Sequence, residues 1–256
     1  MTVPFENDTG NIVRKLARKS LKSEKRRNLM VVIAVALASC LICFSIVMAL
    51  STRQIEKNHV EDTYEAVYTK ITEEDVSSLK GLDDFSRVGE YYMLAVEPAE
   101  QGYNASYIYC DEETMYIARD QMKLLEGRLP QKEDEVVVSR YFLSNYGADA
   151  GIGEKVMLSS ESFHGEYTVT GIMEGYKEKE VNGTSILLSK EALKGWSGYD
   201  PADYRAYVHF KNEQQMDETE LTARSREIAK EYQLEMPVMN LSYMKFYKQP
   251  VNVSML

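Results

Sequence analysis

The chain has 256 residues with 40 acidic and 30 basic side chains, a formal charge of -10 and a pI near 5.0. An acidic balance speaks against general nucleic-acid binding, which needs a basic face to release counterions from phosphates. The sum hides a division: residues 1–28 hold eight Lys/Arg and three Asp/Glu, residues 29–50 hold no charge, and the remainder carries 22 basic and 37 acidic groups, a net of -15.

The basic segment is patterned. At 100° per residue from Ile12, the apolar Ile12, Val13, Leu16, Ala17 and Leu21 share an arc of about 180°, and Arg14, Lys15, Arg18, Lys19 and Lys22 share the opposite side. Such a helix, with Thr9 as its N-cap, is suited to lie at an inner membrane surface with its cations toward anionic headgroups or an acidic partner. The plainer reading is that these cations only set topology, which needs no periodicity.

From Leu29 to Leu50 the only polar side chains are Ser39 and Ser45. As a helix this run would be about 33 Å long, against a hydrocarbon core of about 30 Å. Three readings compete: a retained transmembrane helix, a cleaved signal peptide, and a lipoprotein signal with Cys40 lipidated after Leu37-Ala38-Ser39. The apolar run continues for ten residues beyond Cys40, and the basic region before it is long, which favours the retained helix. Eight Lys/Arg precede the span, and Arg53 and Lys57 follow it closely. The positive-inside rule then places the N-terminus in the cytoplasm and the acidic bulk outside.

Residues 51–62 contain no helix breaker and read as a helical stalk. Tyr64 to Ile71 is β-rich, and Thr72-Glu73-Glu74-Asp75 resembles a capping box opening a helix that ends near Gly81. Strands are predicted over Arg87–Val96, Tyr103–Cys110 and Glu135–Ser139, then a helix from Arg140 to Tyr146 closed by Gly147. Glu154–Leu158 and Glu166–Met173 form a hairpin around a polar loop, and Ser185–Leu188 precedes a helix from Ser189 to Leu193. Tyr204 to Phe210 alternates, with Tyr204, Ala206, Val208 and Phe210 on one face and Arg205, Tyr207 and His209 on the other. A long helix follows from Met216 to Tyr232, burying Leu221, Ile228, Ala229 and Tyr232. Strands interleaved with helices predict an α+β domain, divided into two small lobes.

Reactive constellations do not emerge. His59, His164 and His209 lack zinc-site spacing, and there is neither a phosphate-binding GxxxxGK[ST] loop nor a GxSxG elbow. The acidic runs 111–113, 133–135 and 178–180 read as solvated faces or turns rather than acid/base pairs. Tyr91, Tyr92, Tyr103, Tyr107, Tyr109 and Tyr116 read first as sheet packing, with a ligand surface as the alternative. Cys110 is the one thiol outside the span, so the external part has no internal disulfide. No enzyme, metal or cofactor role is expected for this chain.

Three stretches carry a family resemblance. They are Asn11 to Ala17 leading through Lys25-Arg26-Arg27-Asn28 into the span; Leu125-Glu126-Gly127-Arg128-Leu129-Pro130 before Glu135 to Ser139; and Ile152-Gly153-Glu154-Lys155-Val156 with Tyr167 to Ile172 around Gly171. In these the chain resembles the FtsX-like permeases of ABC transporters, with an external domain similar to the MacB-type periplasmic core domain. Gly127 and Pro130 set a turn, Gly153 starts a hairpin arm, and Gly171 permits close backbone approach.

The resemblance implies a bacterial cell-membrane protein with the following layout: residues 1–28 cytoplasmic, 29–50 spanning, 51–62 a stalk, 63–240 the external domain, and 241–256 a membrane-proximal segment that opens a second span. Family members continue with three further spans, so the chain reads as the N-terminal part of a permease. ATP would be used on a separate ATPase subunit, whose motion the spans and stalk transmit outward. In the family this serves peptide export, antimicrobial-peptide resistance, lipoprotein release or control of wall hydrolases. Its partners would be that ATPase, membrane lipid, and further permease spans or a second copy, with no nucleic acid. The alternative is a membrane-anchored or lipidated binding domain without transport.

Overall fold

The computed structural model describes residues 9–100, 102–119, 121–146, 150–175, 178 and 182–248, with the side chains of residues 9, 21, 23 and 59 outside the description. The chain divides into two compact units, residues 1–56 and 57–256.

In the first unit α1 (Thr9–Ser23) carries the amphipathic pattern; α2 (Lys25–Val60) takes in the apolar run and continues past it, its last four residues belonging to the second unit. The Thr9 side chain, named as the cap, lies outside the described residues. α2 is long and apolar enough to cross a membrane. Its two apolar-run serines satisfy themselves: the Ser39 and Ser45 hydroxyls donate to the carbonyls of Val35 and Leu41, each at 2.9 Å. That matters in a bilayer, where no water replaces a missing partner.

The second unit is built on one sheet. The strands are β1 (Ala66–Ile71), β2 (Phe85–Pro98), β3 (Asn104–Cys110), β4 (Met122–Gly127), β5 (Glu135–Ser139), β6 (Lys155–Ser159), β7 (His164–Gly175), β8 (Gly183–Leu188), β9 (Tyr204–Phe210) and β10 (Val238–Met239). Their order is β10-β1-β9-β2-β3-β8-β5-β7-β4, with β6 also on β7. Pairings are antiparallel except β3 with β8 and β5 with β7. One sheet runs through the whole unit, with helices on its faces, so the domain is α+β as expected.

The two faces differ in cover. On one face α3 (Glu73–Lys80), α5 (Arg140–Asn145), α6 (Lys190–Gly195) and α7 (Glu218–Glu231) bury the larger core, including Leu79, Phe142, Leu193 and Ile228 against Tyr204, Ala206, Val208 and Phe210. The other face carries Tyr207, Tyr91, Ile108, Leu187 and Val137, and one short helix, α4 (Glu112–Ile117), packs Met115 and Ile117 on it. Strand alternation assigns the faces: Val136 and Val138 belong to the first core, Val137 to the second.

Caps fix where the helices start. Thr72 and Asp75 form a reciprocal capping box on α3, and Asp217 with Glu220 does the same on α7. α5 ends at Tyr146; the expected closure at Gly147 lies outside the described residues. A charge cluster ties α6 to β2 and α3. Lys190 Nζ sits 2.6 Å from buried Glu90 and 2.7 Å from Glu73, while Lys80 reaches Asp111 at 3.0 Å.

Candidate functional site

The sequence-predicted residues fall into separate places. Arg14, Lys15, Arg18 and Lys19 are exposed on α1, in the first unit. Gly127, Arg128, Pro130, Glu135 and Gly171 converge at the β4, β5 and β7 end of the sheet. Gly127 has φ of 81° and stands opposite Gly171 in the register. A Cβ on Gly127 would overlap the Thr170 carbonyl oxygen, and one on Gly171 would lie 2.8 Å from the Arg128 carbonyl oxygen. The strands approach too closely there for any side chain.

That approach lets the chain turn so that Arg128 meets the start of β5. Its guanidinium donates to both Glu135 oxygens, at 2.8 and 2.7 Å, and Glu135 also accepts the Gln131 and Lys132 backbone N–H groups at 2.9 and 3.3 Å. The Arg128 pair and these amides hold the Glu135 carboxyl down at about 2. Pro130 is half-buried in this turn. Gly153, with φ of 87°, occupies the neighbouring turn and donates from its N–H to Val169 at 2.8 Å. The set is a structural brace.

A second constellation was not foreseen from sequence. It forms where the last turn of α2 enters the domain. Thr63 closes that turn by donating its hydroxyl to Val60 O at 2.7 Å, and Asp62 makes the bend in the left-handed region with φ of 51°. The chain then joins two elements at once: Tyr64 N–H donates to Ile117 O beside α4, and Glu65 N–H to Val208 O on β9, both at 3.0 Å. Arg119, just past α4, bonds the Glu61 carbonyl and lies 3.5 Å from Asp62.

Glu65 is fully buried. Its carboxyl lies 2.7 Å from His209 Nδ1 and accepts the Phe210 N–H at 2.8 Å. Burial pushes the Glu65 carboxyl up, against the opposing pull of His209. Burial alone would lower the imidazole, but the hydrogen bond and charge of Glu65, with the charge of Glu213 and a bond to the Thr63 backbone, together outweigh it and raise His209 above its ordinary value.

The returning chain is fastened to the same place. α8 (Leu241–Tyr243) and the π-helical turn Met244–Lys248 follow β10, and Asn240 binds them back. Its backbone N–H donates to Glu65 O at 2.8 Å, its amide donates to Tyr64 O at 2.9 Å, and its side-chain oxygen caps Tyr243. Tyr243 and Tyr247 stack with centroids 5.0 Å apart, and Tyr247 meets Lys57 through both its ring and its hydroxyl. The joint therefore gathers the end of α2, the first and ninth strands, and the segment 240–248 that follows β10. The alternation of Tyr204–Phe210 singled out His209 by face, but its partner lies 144 residues away.

The tyrosines divide as their faces dictate. Tyr91, Tyr92, Tyr103 and Tyr107 are buried in the cores, and Tyr116 is exposed beside the guanidinium of Arg87, 4.2 Å above its ring. Cys110 is buried, which pushes its thiol up and away from reactivity. Among the described residues no group of His, Cys, Asp and Glu is arranged to hold a metal ion.

The fold and the joint define a sheet domain whose entering segment is clamped to residues 240–248. The sequence profile of the MacB-like periplasmic core domain matches residues 29–226, and the chain belongs to that family. Two solved structures are similar to it. The extracellular domain of the noncanonic ABC-type transporter YknZ from Gram-positive bacteria is 15% identical, with 70% of this chain and 100% of that one covered and a TM-score of 0.49. The periplasmic region of MacB from Actinobacillus actinomycetemcomitans is 10% identical, with 72% and 91% covered and a TM-score of 0.48. No curated protein sequence matches the chain. The chain is thus a membrane-anchored ABC-transporter permease component with an extracytoplasmic domain.

Proposed function

We propose that this chain carries motion, generated by a separate cytoplasmic ATPase, across the membrane to its external domain. The observation that supports the reading best is α2, one helix from Lys25 to Val60 that contains the whole apolar run, closed by Thr63 and followed at once by Tyr64 and Glu65, which bond to α4 and β9. A helix of that many residues is about 54 Å long. The N-terminus lies in the cytoplasm by the distribution of Lys and Arg. There Arg14, Lys15, Arg18 and Lys19 face anionic lipid or the ATPase, on which ATP binds and is hydrolysed. Further permease spans or a second copy complete the path, and the work done outside is peptide export, lipoprotein release or a related task.

Two glycines inserted after Gln54 soften the stalk without touching the domain. The insertion is expected to leave membrane insertion and ATPase binding intact, while abolishing the ATP-dependent change of a fluorophore placed on the external domain. An unchanged signal would overturn transmission through α2. Separately, reversing the four α1 cations to Glu should reduce ATPase co-purification, and undiminished recovery would remove that contact.

A further inference from the structure

Among the described residues the end of the sheet opposite β10 is an open strand edge. β4 is the last strand in the order and pairs only with β7, so among the described residues its outer edge meets no strand. Beside that edge runs a groove of about 630 Å³, with α4 and Arg119 on one side and β4 with its following turn on the other. Its floor is apolar: Met115 from α4, Leu124 from β4 and Leu129 from the turn, with the latter two only half-buried. A sheet edge lying beside a helix with an apolar trough between them is the geometry that accepts an added strand. The backbone supplies the pairing, and alternate side chains enter the trough.

Charge selects the strand. Arg119, Lys123 and Arg128 line the groove with the acid Glu112; Arg119 lies 3.5 Å from Asp62 and Arg128 is held by Glu135, so the selecting charge is that of Lys123. Lys123 is exposed and has no ion-pair partner among the described residues. A second copy of β4 would bring one lysine and one glutamate, no net negative charge to set against Lys123. We propose that this groove binds an extended peptide segment of alternating acidic and apolar residues, added as a strand to the free edge of β4. The proposal concerns the external surface alone and stands independently of motion through α2.

The test uses the full chain in nanodiscs of zwitterionic lipid and a fluorescein-labelled hexapeptide of alternating leucine and aspartate, followed by anisotropy. Saturable binding is expected, weakened roughly tenfold or more by Lys123→Glu, by lysine in place of aspartate, and by N-methylation of alternate peptide amides, which removes the pairing donors while keeping the side chains. Equal binding of the N-methylated or the lysine peptide would overturn the proposal. So would capture of phosphatidylglycerol vesicles through Lys123 with no peptide binding, which assigns the groove to anionic lipid.

Discussion

The Glu135 carboxylate receives two guanidinium N–H groups and two backbone N–H groups, so neutralising it weakens four bonds together. Its folded-state pKa of about 2 lies below the ordinary value of 4.5. Its contribution to stability is therefore complete above 4.5 and disappears as pH falls from 4.5 toward 2. Glu135→Gln is expected to lower the melting temperature by about 2–4 °C at neutral pH and to flatten the acid limb over that window. Thermal melts from pH 2 to 7 measure both, and parallel curves for the two proteins would refute the assignment. Two other carboxylates read as solvated also have structural tasks. Asp111 caps α4, and buried Glu178 accepts from Ser185 N–H at 3.0 Å, its carboxyl pushed up by burial. In an acidic run the partner that singles out one member lies in a distant strand, so local sequence cannot tell anchor from neighbour.

At the scale of elements, length and locality decided what could be read. α3, α7 and the β6–β7 hairpin carry caps, period and a turn within one short stretch, and their outlines follow from sequence. α4 has six residues, too few for a helical period, and the bulge in β4 breaks its alternation. Both went unseen, although together they form the groove. Asp111 shows what holds α4 in place: its carboxylate accepts the Thr114 and Glu90 backbone N–H groups at 2.9 Å each and meets Lys80 at 3.0 Å. Asp111→Ala removes the cap and the tie to β2, at an expected cost of about 1–2 kcal/mol. Hydrogen exchange should then accelerate in α4 before the sheet. Acceleration spread evenly over the domain would mean that α4 is held by packing alone.

For the whole molecule, the decisive contacts join residues far apart in sequence, which is why the joint was invisible while its parts were not. Alternation gave the faces of β9, and the absence of a helix breaker the continuity of the stalk, but pairing His209 with Glu65 requires the β1–β9 register. That pair gives the entry of the stalk a pH dependence. Both groups hold their protons more tightly when folded than when unfolded. The Glu65 contribution to stability starts to fall above 4.5; that of His209 is complete below 6.5 and is lost as pH rises through its raised folded value. Stability should therefore decline on going from pH 6 to 8, first at the joint. His209→Gln leaves the Glu65 carboxylate buried without its cation, at an expected cost of about 3 kcal/mol, whereas Glu65→Gln with His209→Gln should cost less than the two single changes added together. Melts of the full chain at both pH values decide the matter: the double variant should lose the pH dependence, and a slope equal to that of the unsubstituted chain would place the titrating group elsewhere. Because Asn240 binds residues 240–248 to the backbone of Glu65, loosening this pair should release that segment together with the end of the stalk.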